Sequence, residues 1–289
     1  MDRVTLALLR GVCQLPAYVA ADLGLFRAHG LEVALDYAPT AWAVPERMLR
    51  GQVDFAVIPW TRVAAAGARG EPLVLICGSG CEEAALVVRR GCAPTDVARV
   101  ALPQEGGMKD LTAVGLVQSL GWGEAETLRL PSGDAAILAF VGGGVDAASM
   151  VEPWATMLHH LGLGDVVRRT RDVWPGVPGC SLTTSAALIA ERPDVVERMV
   201  RAFVAGARVV GDDPERAAAI GARHIGVEAR HVSGALAHNA PDVHALGRSA
   251  AMDAVLDVML ARGYLARRPD AGFKDLTFLE RARRGAAAA

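Results

Sequence analysis

Val4-Thr5-Leu6-Ala7-Leu8-Leu9 is a short apolar run bounded by Arg3 and Arg10, and beyond it Ala17 to His29 carries apolar residues at helical spacing up to Gly30. The two periods then alternate. Leu31 to Tyr37 reads as strand, Val44 to Arg50 as a short helix closed by Gly51, Asp54 to Ile58 as strand, Arg62 to Arg69 as helix, and Leu73 to Cys77 as strand. A βαβαβαβ order makes parallel strands with right-handed crossovers, and strands apolar throughout need helices on both faces. The fold class is α/β.

Glu83 to Arg90 reads as one more strand, and the pattern restarts. Val97 to Leu102 is strand, Met108 to Leu120 helix, Glu126 to Leu130 strand, Ala135 to Val141 helix, Ala147 to Val151 strand and Pro153 to Leu161 helix. After Pro175-Gly176-Val177-Pro178-Gly179, Ser181 to Ile189 reads as strand. Four amphipathic helices follow, Asp194 to Val210, Pro214 to His224, Ala229 to Ala237 and Arg248 to Arg262, with Gly, Asn and Pro breakers between them. The simplest assembly has two lobes: residues 1–82 and 184–289 form lobe I, and residues 83–183 form lobe II.

The 289 residues are 52% hydrophobic and 21% charged with a net charge of -2, which excludes a disordered or collagen-like chain. Aromatics at 5% and balanced charge leave no basic stripe or stacking platform, so nucleic acid is not an expected partner. No segment reaches the roughly 18 apolar residues of a membrane span; Ala135 to Val145 is short and glycine-rich. Asp2, Arg3 and Arg10 break up any secretory signal, and Leu9-Arg10-Gly11-Val12 lacks the small pair expected before a lipidated cysteine. Cysteines 13, 77, 81, 92 and 180 are scattered, as reduced thiols are. The expected location is the cytoplasm, or the periplasm if an export segment precedes this chain.

Pro16-Ala17-Tyr18-Val19-Ala20-Ala21-Asp22-Leu23-Gly24-Leu25-Phe26, followed by Gly30-Leu31-Glu32-Val33, resembles the opening of solute-binding proteins of the nitrate, sulfonate and taurine importers and their thiamine-pyrimidine relatives. Gly51-Gln52-Val53-Asp54-Phe55-Ala56, Gly144-Val145-Asp146-Ala147, Glu152-Pro153-Trp154-Ala155, and Phe273-Lys274-Asp275-Leu276 with Phe278-Leu279 extend the resemblance over almost the full length. It implies a type II periplasmic binding-protein architecture: two mixed sheets flanked by helices, a hinge of two crossover strands, and lobes that close over a small polar or anionic organic ligand. An ABC permease is the partner it implies; no cofactor is expected. The residues lead to the same cleft, because open α/β sheets bind ligands beyond the carboxyl ends of their strands.

Candidate contacts fall at those strand ends. In Gln104-Glu105-Gly106-Gly107-Met108-Lys109 two glycines open a helix with bare N–H groups and Lys109 adds charge, a setting for an anion that Glu105 would oppose. The family's usual Ser or Thr is missing there. Trp42 and Trp60 follow strands and would wall a flat or cationic ligand, although Trp60 would equally cap a core. From the Glu152-Pro153-Trp154 resemblance, Glu152 is favoured over Trp154 as a cleft residue, meeting an amine or hydroxyl. Gln14, Leu15, Pro59, Ser79 and Ser181 complete the expected ligand-binding set.

A second class of function also fits. Cys13-Gln14-Leu15-Pro16 resembles the nucleophile context of aryl-sulfinate desulfinases, making Cys13 the nucleophile of a cytosolic enzyme on this scaffold; a thiamine-pyrimidine synthase-like enzyme is the related option. The desulfinase's partner His is absent, with Trp42 in that region, and the synthase's dense cysteine run is missing. None of the histidines falls at a cleft-facing strand end, and His159-His160 reads as a surface pair. Cys77-Gly78-Ser79-Gly80-Cys81 is not a zinc spacing, so no metal site is expected. Arg281-Ala282-Arg283-Arg284 reads as a solvated tail. The binding protein is the preferred reading and the enzyme the alternative.

Overall fold

A computed structural model describes residues 1–130 and 133–287. Ten strands form two mixed five-stranded sheets. The strands are β1 (Asp2–Leu8), β2 (Leu31–Tyr37), β3 (Phe55–Pro59), β4 (Leu73–Gly78), β5 (Ala84–Arg89), β6 (Arg99–Pro103), β7 (Glu126–Leu130), β8 (Ala147–Val151), β9 (Gly164–Arg169) and β10 (Cys180–Ser185). The first sheet runs β2-β1-β3-β10-β4 and the second β7-β6-β8-β5-β9. Each is parallel except for one inserted strand. β10 runs antiparallel between β3 and β4, and β5 antiparallel between β8 and β9. The inserted strand is the one reached by crossing from the other sheet.

The two crossings lie side by side. Glu82 N–H donates to Val177 O at 3.0 Å, Gly179 N–H donates to Gly80 O at 2.9 Å, and Cys81 pairs with Pro178 across an antiparallel bridge. This is the two-strand hinge that the resemblance implies. The second crossing precedes β10, so residues 180–183, expected in the second lobe, hydrogen-bond within the first sheet. Trp60, fully buried, pins this segment by donating from Nε1 to Pro178 O at 3.0 Å.

β3 and β4 are buried along their whole length, as all-apolar strands between helical layers must be. The helix Pro193–Asp212 covers the first sheet and crosses Leu15–Asp22 at very close range: a Cβ on Gly206 would stand 2.2 Å from Pro16 O, so only glycine allows the contact.

Several elements differ from the sequence reading. Ala17 to His29 is two helices, Leu15–Asp22 and Leu25–Ala28, because Gly24 takes φ +69° between them. β9 is an unanticipated strand. Ser181 to Ile189 is half strand and half helix, since the Ser185 hydroxyl accepts Leu188 N–H at 3.1 Å and starts Ala186–Glu191. The arginine-rich end is helical rather than a tail: the helix Thr277–Ala287 buries Phe278, Leu279 and Ala282 while Arg281, Arg283 and Arg284 stay exposed to solvent. Among the described residues no helix is long and apolar enough to cross a membrane.

Candidate functional site

The carboxyl ends of β1, β2 and β3 meet those of β6, β7 and β8 around a cavity of about 310 Å³. Leu9, Arg10, the segment 37–42, Pro59 and Arg62 line it from one sheet; Leu102, Pro103, Gln104, Gly107, Lys109, Asp110, Leu130, Val151 and Trp154 are among the residues lining it from the other. Facing strand ends put one cavity at the switch points of two α/β sheets.

Charge distinguishes this cavity. Arg10, Arg62 and Lys109, the last being one of only two lysines in the chain, all line it, and none has an ion-pair partner among the described residues. Arg62 sits over the face of Trp42, its guanidinium carbon 3.1 Å from the ring centroid. Burial pulls the Arg62 pKa down to about 10, against the opposing pull of Asp110, so it remains a cation at neutral pH. Asp110 is already committed: it pairs with Arg129 and accepts from Gly106 N–H at 3.0 Å and Tyr264 O–H at 2.8 Å. The helix Met108–Ser119 thus points its amino end at the cavity beside Arg62, and a Cβ on Gly107 would stand 2.8 Å from Arg62 Nη2.

Of the residues expected at the cleft, Trp42, Pro59, Gly107, Lys109 and Trp154 line the cavity. Gly106 adjoins it with φ +85°; the side chain of Met108 lies outside the described residues. The others are placed elsewhere. Trp60 sits fully buried in the core, its indole N–H spent on Pro178 O. Glu152 is buried and spent, accepting from Arg169 Nη1 at 2.7 Å and from Thr156 N–H at 3.0 Å, so Trp154 rather than Glu152 reaches the cavity. Gln14 turns inward, taking Leu9 N–H at 3.3 Å and donating to Cys13 Sγ at 3.2 Å. Leu15 is fully buried, Ser79 bonds Cys13 O, and the Ser181 hydroxyl is buried without a hydrogen-bond partner among the described residues.

Arg10, Arg62 and Tyr37 were not singled out in the sequence reading. A charge placed directly after an apolar strand was the available signal for the first. Tyr37 also brings a histidine to within one residue of the cavity: its hydroxyl is 2.5 Å from His224 Nδ1, and His224 Nε2 lies 2.8 Å from Asp22 Oδ1. Burial, and then Asp22, push the Tyr37 phenol up. Cys13 does not line the cavity.

Two mixed α/β sheets joined by paired crossings, with one cavity between their strand ends, define the type II periplasmic binding-protein fold. The chain belongs to the NMT1-like family, whose model matches residues 1–225. No curated protein matches it by sequence. Among solved structures it is similar to a ligand-binding component of an ABC-type import system from Staphylococcus aureus, solved with zinc bound (14% identity, TM-score 0.85, covering 98% of this chain and 99% of that one). It is likewise similar to the alkanesulfonate-binding protein SsuA of Xanthomonas axonopodis pv. citri bound to MOPS (17%, 0.77, 96% and 99%). The third is the periplasmic nitrate-binding protein NrtA of Synechocystis PCC 6803 (12%, 0.83, 100% and 90%).

Proposed function

We propose that the protein binds a small anionic organic molecule in the cavity between its lobes, with lobe closure over the ligand. The observation that carries this is the set of three cations, Arg10, Arg62 and Lys109, converging on one cavity without ion-pair partners among the described residues. Two carboxylates also line the cavity, Asp110, which Arg129 takes up, and Asp134, so the lining keeps a surplus of positive charge that an anion would balance. Trp42, Trp154 and Tyr37 add apolar and aromatic wall for the organic part. The sulfonate- and nitrate-binding names of the structural relatives agree with this charge.

On this reading the two sheets, each with its own helices, move as two lobes about the paired crossings, with β10 going with the first, an ABC permease is the partner, and the protein works in the periplasm. A catalytic Cys13 draws less support, because that thiol lies outside the cavity lining. The test is thermal denaturation against a panel of sulfonates, carboxylates and nitrate, with amines as controls. An anion at a hundred times its Kd stabilises the fold by about 2.7 kcal/mol, a clear rise in Tm. A panel in which no anion shifts Tm, or only amines do, overturns the reading.

A further inference from the structure

We propose that Cys13, Glu83 and Cys180 form a buried site for one thiophilic divalent cation of the zinc type, set at the hinge. The residues come from the segment after β1, the residue preceding β5 and the first residue of β10, and their ligand atoms lie within 4.8 Å of one another. Nothing in the spacing 13, 83, 180 announces a metal site; only the fold brings them together.

The geometry matches the ion. Tetrahedral zinc with bonds of about 2.3 Å to sulfur and 2.0–2.2 Å to oxygen holds the two ligands about 3.5 Å apart. Cys180 Sγ stands 3.4 Å from Glu83 Oε2. Two sulfurs and a carboxylate favour zinc over the hard, oxygen-seeking calcium and magnesium.

The surroundings carry the argument further. Glu83 is withdrawn from water and has no cation partner among the described residues; Oε1 accepts Cys180 N–H at 2.7 Å and Oε2 meets the Cys180 thiol. A divalent ion would supply the missing charge. A Cβ on Gly80 would fall 1.6 Å from Glu83 Oε1, and one on Gly179 2.3 Å from Glu83 Cδ, so two glycines make room for this carboxylate. Gln14 Nε2–H donates to Cys13 Sγ at 3.2 Å, fixing that sulfur's direction.

On binding, each thiol gives up its proton to solvent and each sulfur donates a lone pair to the metal, so affinity strengthens as pH rises and weakens as it falls. Because the ligands tie the segment after β1 to both crossings, the ion would brace the hinge. The site is separate from the cavity lining, and its failure would leave the anion-binding reading standing.

The experiment titrates the reduced full-length protein with Co²⁺. Thiolate-to-cobalt charge transfer in the near ultraviolet should saturate at about one ion per chain and be displaced by Zn²⁺. Cys13→Ser and Cys180→Ser should abolish the band, Cys92→Ser should leave it, and Glu83→Gln should weaken Co²⁺ binding by roughly tenfold or more. In the unmutated protein, one equivalent of Zn²⁺ should raise Tm, and a chelator should reverse the rise. No band in the unmutated protein, or a band that survives both serine variants, overturns the proposal, as does a Tm that Zn²⁺ leaves unchanged. The Tm shift keeps it falsifiable should a serine variant not fold.

Discussion

At Arg62 two forces meet: burial lowers its pKa to about 10, and the Trp42 face holds it in place at 3.1 Å. A cation held in this way is organised before the ligand arrives, so removing it loses a contact that took little ordering to make. Arg62→Ala and Lys109→Ala should each raise the Kd of the bound anion by roughly 10- to 100-fold, the about 1.5–3 kcal/mol of a charged hydrogen bond. Calorimetric titration reads it, and the exposed Arg50→Ala, paired only with Glu46, should leave Kd unchanged. The contrast of Trp42 with Trp60 shows how far single residues could be read from the chain. Both follow strands, but Trp60 begins a helix whose buried face turns it inward, while Trp42 sits in a loop with 45% of its surface exposed. Strand-end position was visible in the sequence; the direction of the side chain was set by packing.

Elements were more legible than residues, because period and punctuation are local. β7 and β8 have the bounds that their alternation predicted, whereas β9 escaped notice since Gly164–Arg169 mixes glycine, aspartate and arginines and gains strand character only by pairing with β5. The close crossing of Leu15–Asp22 and Pro193–Asp212 is another feature that no local pattern reveals. Gly206→Ala places a methyl 2.2 Å from Pro16 O, so the helices must part. We expect a loss of about 1–3 kcal/mol by urea unfolding, despite alanine's better helix propensity. At the cavity, Asp110→Asn should cost more, about 3 kcal/mol, because it leaves Arg129 without its buried carboxylate and weakens the hold on the start of Met108–Ser119. The same unfolding measurement ranks the two.

For the molecule as a whole, the restart of the β/α alternation after residue 83 was enough to foresee two sheets, but the contacts between them depend on residues distant in sequence. One such contact joins His160, on the helix Trp154–His160 beside the second sheet, to His231, on Ala229–Leu236 beside the first: their Nδ1 atoms are 3.1 Å apart. At that distance one ring must donate and the other accept, which requires at least one neutral imidazole. Burial, then Arg230 and His160, push the His231 pKa below its ordinary 6.5, with only Glu228 pulling the other way. The unfolded chain therefore takes up a proton near pH 6.5 that the folded one refuses. The stabilisation is fully present above that pH and drains away as pH falls through 6.5 toward the folded pKa, at up to about 1.4 kcal/mol per pH unit. Unfolding followed from pH 8 to 5.5 should show this decline, and His231→Gln should flatten it while lowering stability at pH 8. Because the pair links the two sides of the cavity, anion affinity should weaken over the same interval in the unmutated protein, and a ligand titration whose Kd stays constant from pH 7.5 to 5.5 would separate this contact from lobe closure.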